Sequence, residues 1–221
     1  DGWMAFAYII YPILKSGLYE TGTDTQLATW EELTAASGAI TVENNVITSC
    51  NSELAGDLVI PSGITAIGNE AFKDCAALTS VTLSDTLTTI GDSAFVSCSA
   101  LANIGWSSSL TTMGEAAFGA CSALQMVNIP ASVTSIGAAA FAECTGLQTA
   151  MINTTCTYIS DYMFAGCTNL GGVFIGDNVE TIGEGAFSEC ENLEFLILSK
   201  NLTEIGKQSF AGCVALSDVS F

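Results

Sequence analysis

The sequence predicts an α/β-type solenoid of seven 23-residue repeats, with a parallel β-sheet on its concave face and short helical or irregular convex segments. Three observations predict it. Phe72, Phe95, Phe118, Phe141, Phe164, Phe187 and Phe210 recur every 23 residues without slippage. Cys75 to Cys213 and Leu78 to Leu216 keep the same beat three and six residues later. Self-similarity at a fixed period marks a stacked architecture. Finally, 49% of the 221 residues are hydrophobic and only 12% charged, which is enough apolar material for a long core.

In chain order, residues 1–22 come first, with a wholly apolar run, WMAFAYIIYPIL, at 3–14. As a secretory h-region it lacks a basic flank. As a membrane span it falls short of the ~18 residues needed. Packing onto the first repeats, or contact with another subunit, are the remaining readings. Residues 23–57 read as the N-terminal cap that a solenoid needs. Thr25 to Ser37 forms a short amphipathic helix, with Leu27, Trp30 and Leu33 on one side. Ile40 to Thr48 forms a hairpin turning at Asn44 and Asn45.

Residues 58–221 are the solenoid. Each unit reads L-x-x-V-x-I, a turn, then V-x-x-I-G-x-x-A-F-x-x-C-x-x-L. The alternation of Val81 and Leu83 is that of a strand with one buried face. The Gly after Ile, present at 68, 91, 114, 137, 183 and 206 and replaced by Ser160 once, suits a tight bend. Twenty-three residues cannot close a core alone, so stacked units must share one, with the phenylalanines as a continuous column.

The unit resembles a leucine-rich repeat of the BspA-like (Treponema-type) class, whose hallmark matches TSIGAAAFAECTGL at 134–147. The resemblance implies an extracellular or cell-surface protein that binds proteins or surfaces and is not catalytic. One departure stands out. The Asn/Cys position that builds a ladder under the turn in other leucine-rich repeats holds Thr86, Ser109, Ser132, Thr155, Asn178 and Asn201, so the turn must satisfy its backbone groups otherwise.

Composition narrows function further. With no His there is no Ser-His-Asp triad, no Cys-His dyad and no imidazole metal ligand. With four Lys, no Arg and a net charge of −19, nucleic acid and anionic membranes are poor partners. No cofactor, metal or catalytic residue is expected. Seven of the nine cysteines fill the inward F-x-x-C-x-x-L slot and read as small buried hydrophobes. Cys156 replaces an apolar residue, and Cys50, out of register, is the candidate for a local bridge. Asp92, Glu115, Asp161 and Glu184, which follow the Ile-Gly step or its Ile-Ser counterpart, read as a solvated convex face. Asn153 and Asn201 begin formal glycosylation sequons of little weight.

The candidate site lies on the concave face. In L-x-x-V-x-I the third and fifth positions point away from the core. Early repeats fill them with Ser80, Thr82, Asn103, Gly105 and Asn128, and later ones with Met126, Met151, Phe174, Phe195 and Ile197. Such a patch marks a partner-binding surface for a protein or surface ligand. The alternative is a head-to-tail extracellular filament. There Trp3, Phe6, Tyr8, Ile9, Ile10 and Leu14 would cover a neighbour's end at Phe221.

Overall fold

A computed structural model describes residues 39–221. The cap helix expected over 25–37 and the apolar run at 3–14 lie outside the described residues. The chain winds as a solenoid of short strands and turns, about eight turns in all. Eight strands stack in parallel as its long-strand face: Ala55–Val59, Ala77–Thr82, Asn103–Gly105, Met126–Ile129, Thr149–Ile152, Gly172–Ile175, Phe195–Ile197 and Asp218–Ser220. There is one more strand than Phe–Cys–Leu unit, because Ala55–Val59 precedes the first Phe yet pairs in parallel with Ala77–Thr82.

After each turn a two-residue strand at the Ile-Gly step, such as Thr89–Ile90, forms a second parallel ladder. At the N-terminal side, Ile40–Glu43 and Val46–Cys50 form an antiparallel hairpin. Asn44 and Asn45 turn it with φ of 51° and 65°, the left-handed pair that a tight two-residue turn demands. Val46–Cys50 then pairs in parallel with Ala66–Ile67. A Cys50–Cys75 disulfide ties the hairpin to the first Phe coil.

The core is one column. Six pairs of successive phenylalanine rings stack at 4.9–5.5 Å with interplanar angles of 2–9°. The inward cysteines flank it and do more than fill space. Cys98, Cys121 and Cys144 donate their thiols to the carbonyls of Phe72, Phe95 and Phe118, 26 residues earlier, at 3.0, 3.3 and 3.1 Å.

Of the two forms expected for the convex segments, helical or irregular, the structure has the irregular one, and the helical expectation is corrected: no helix occurs among the described residues. The amides of Glu70, Phe72 and Asp74 donate to the carbonyls of Asp92, Ala94 and Val96 in the next coil, at 2.8, 2.8 and 3.0 Å. The amides of Lys73 and Cys75 instead close turns onto Glu70 and Phe72. Alternate amides thus point along the solenoid axis, and a helix would turn all of them back along the chain. The geometry requires left-handed residues at Glu70 (φ 57°) and Asp74 (φ 60°), and the pattern recurs every 23 residues.

Two ladders break where the repeat is broken in sequence. The long-strand sheet is interrupted between Asn103–Gly105 and Met126–Ile129. There Trp106 takes the core position that Leu83 and Ile129 hold in neighbouring units, and its bulky indole sits edge-on to Phe118 at 5.6 Å. The short-strand ladder is interrupted between Ser135–Ile136 and Tyr158–Ile159. This is the unit with Ser160 in the Gly position. At the preceding Gly137 an added Cβ would stand 2.3 Å from the Glu115 nitrogen, so a side chain in that slot pushes neighbouring coils apart. The Ser160 hydroxyl recovers one bond there, donating to the Gly137 carbonyl at 2.8 Å.

Candidate functional site

Strand alternation fixes which side chains leave the core. In Gly172–Ile175, Val173 and Ile175 are buried while Phe174 is exposed, and the strands on either side repeat the pattern. Met151, Phe174 and Ile197 are direct cross-strand partners in three successive strands, about 4.8 Å apart per step. Phe174 is 42% exposed, Phe195 49%, Ile197 40% and Met126 58%, whereas Met151 is half-buried. Phe195 stands on the parallel rung with Gly172, Thr149 and Met126. Four of the five proposed residues therefore cluster, and Met126 lies on the same rung as Phe195 but three strands away.

Two features of this surface escaped sequence reasoning. The first is a stretch of half-buried backbone without side chains at Gly171–Gly172. A Cβ on Gly172 would meet nothing closer than Phe174 Cε2 at 3.9 Å, so there is room for one and the Phe174 ring leans over the glycine. The second is a line of carboxylates where the strands begin. Glu194 precedes Phe195, and Asp218 pairs with Phe195 across the next strand. Both are exposed. The signal for each was present as a Gly-Gly pair and as acids beside outward aromatic residues, but only the register shows that they adjoin.

The opposite end of the same face is polar. The Asp57 carboxylate accepts hydrogen bonds from Ser80 and Thr79 at 2.6 and 2.9 Å. The bond from Ser80 and then that from Thr79 hold its pKa below the ordinary aspartate value. Among the described residues, no group of three or more Cys, Asp and Glu side chains could hold a metal ion.

The turn residues also differ from expectation. Thr86, Thr155, Asn178 and Asn201 donate to carbonyls of the preceding coil at 2.8, 3.1, 3.0 and 2.8 Å, so a partial ladder does run beneath the turns. Asp92 and Asp161 are more than solvated surface. Each accepts the backbone amide of the next coil, from Glu115 at 2.9 Å and from Glu184 at 2.8 Å. Of the two sequon residues, both exposed, Asn201 has its amide engaged in the ladder. Trp3, Phe6, Tyr8, Ile9, Ile10 and Leu14 lie outside the described residues. Phe221 is 79% exposed, at the core position of its coil.

The BspA type leucine rich repeat region matches residues 40–171 and 157–221 in six copies. The chain belongs to the BspA-type leucine-rich repeat family. Its members generally act as protein-binding scaffolds. Three solved leucine-rich repeat structures are similar to it. A T. pallidum leucine rich repeat protein is 26% identical with a TM-score of 0.71, covering 80% of this chain and 87% of that one. A leucine rich cell surface protein from Faecalibacterium prausnitzii is 29% identical with a TM-score of 0.69, covering 82% and 52%. A leucine-rich repeat protein from Bacteroides ovatus is 25% identical with a TM-score of 0.64, covering 83% and 56%. The chain thus spans about half the length of the last two. A search of curated proteins finds no match. Among the described residues, no helix of this BspA-type solenoid is long and apolar enough to cross a membrane.

Proposed function

We propose that this chain is a non-enzymatic recognition module, acting outside the cell or on its surface, that binds a protein or surface partner on its long-strand face. The observation that carries this reading is the in-register, exposed stripe of Met151, Phe174 and Ile197 with Phe195 beside it. A strand face needs no outward phenylalanine for folding, since each side chain there leaves the core. Contiguous apolar surface of this kind marks interaction sites. The extracellular setting draws support from the family and from a similar structure described as a cell surface protein.

The test is the double substitution Phe174→Ser and Phe195→Ser. Both residues are exposed, so stability should stay within about 0.5 kcal/mol per site. Partners retained on the immobilised wild-type chain from an extracellular extract should be lost from the variant. Equal retention by a variant of unchanged melting temperature would remove this face from consideration.

A further inference from the structure

Gly171 and Gly172 leave a notch in the apolar stripe, and its chemistry specifies what enters it. On one rung the outward positions run Thr149, Gly172, Phe195, Asp218. Removing the side chain at the second position opens a gap two strand spacings wide, roughly 10 Å between the Thr149 and Phe195 backbones. Peptide backbone forms its floor. Phe195 forms one wall, and Phe174 leans over from the neighbouring rung, with its Cε2 3.9 Å from where a Gly172 Cβ would be. The space suits one aromatic or branched apolar side chain, presented with its flat face to the two rings.

Charge selects what accompanies that side chain. Glu194 precedes Phe195 at the start of its strand, and Asp218 flanks Phe195 on the next strand, on the side away from Gly172; both are exposed. Among the described residues the lysines lie elsewhere. Lys73 pairs with Glu70 and Lys200 with Asp177, while Lys207 sits in a convex turn following Gly206. No positive side chain of the described residues stands on the long-strand face, and the whole chain carries −19. An incoming acidic segment is repelled, and a basic one is drawn in.

We infer that the notch at Gly172 receives an apolar side chain of a partner polypeptide, flanked there by lysine or arginine that meets Glu194 and Asp218. This rests on the long-strand face being the binding surface and adds the class of partner. A polypeptide is the occupant because an apolar notch beside carboxylates is complementary to an apolar side chain with a cationic neighbour, a pairing that a neutral glycan does not offer.

The experiment titrates the isotopically labelled chain with a blocked peptide, Gly-Lys-Lys-Phe-Lys-Lys-Gly, and follows backbone amide shifts. Two control peptides replace Lys by Glu or Phe by Ala. The expected result is millimolar binding with shifts centred on Gly171 and Gly172, weakened by salt and weakened tenfold or more by either control. Gly172→Leu puts a branched side chain into the notch beside the Phe174 ring, and should weaken binding tenfold or more while preserving the fold. Glu194→Gln with Asp218→Asn should weaken it severalfold. Binding of the Glu peptide as tight as that of the Lys peptide, or no binding of any peptide, overturns the inference. Binding that survives Gly172→Leu but is lost with Phe174→Ser and Phe195→Ser overturns the notch and leaves the face standing. Binding that survives all these variants overturns both.

Discussion

The thiol of Cys144 donates to the carbonyl oxygen of Phe118 at 3.1 Å, across one turn of the solenoid. The bond joins the two most regular features of the sequence and explains why Cys fills a slot that Leu fills in other leucine-rich repeats. A Leu side chain fills the space but leaves the Phe carbonyl with one partner fewer. Cys144→Ala removes both the sulfur packing and this donor, and should cost about 1–2 kcal/mol in urea denaturation. An unchanged midpoint would mean the bond contributes nothing.

The ladder thiols should differ sharply in reactivity. Burial pushes Cys98 and Cys144 up to about 12, leaving almost no thiolate near pH 8. Cys213 is only half-buried, and its pKa is lowered through its proximity to Cys190. In the native protein at pH 8, iodoacetamide should therefore label Cys213 first, as read by peptide mass mapping. Labelling of Cys144 at an equal rate would contradict the packing.

Gly137 and Gly172 make a matched pair. A Cβ at Gly137 would stand 2.3 Å from the Glu115 nitrogen, whereas at Gly172 it meets nothing within 3.9 Å. Gly137→Ala should lower stability by about 1–3 kcal/mol as the coils separate. Gly172→Ala should stay within about 0.5 kcal/mol. Thermal melts of the two variants side by side check the difference, and equal melting temperatures would refute it.

Asp57 gives a pH signature. Its folded pKa lies below the ordinary 3.8 because Ser80 and then Thr79 donate to it. A depressed carboxylate pKa stabilises the fold above the unfolded value, and that contribution fades as pH falls from 3.8 through the lowered value. Ser80→Ala should move the Asp57 midpoint up toward 3.8 in a carboxyl NMR titration. A midpoint that stays put would show that the hydroxyl does not hold the carboxylate.

Legibility followed repetition. The Phe column, the inward cysteines and the outward Met151, Phe174 and Ile197 were readable because strand alternation and a strict period assign each position a side. Ser160 was visible as the odd member of its series, although its consequence, a broken ladder, was not. The sequence left the convex arc as helical or irregular because its left-handed positions have no common residue: Glu70, Ser93, Ala116 and Tyr162 all adopt positive φ at the same step. Nothing in those side chains advertises the conformation. It is imposed by amides that bond to the next coil.

The sequence by itself determined the solenoid, since a 23-residue beat of apolar side chains can be buried only by stacking, and it determined which side chains point outward. Tertiary structure alone decided how the convex backbone bonds are closed, where Trp106 and Ser160 part the sheets, and that Gly172, Phe195 and Asp218 stand side by side. Each of those depends on contacts between residues about one repeat apart in the chain. Such contacts exist only once the coils are stacked, so local pattern cannot express them.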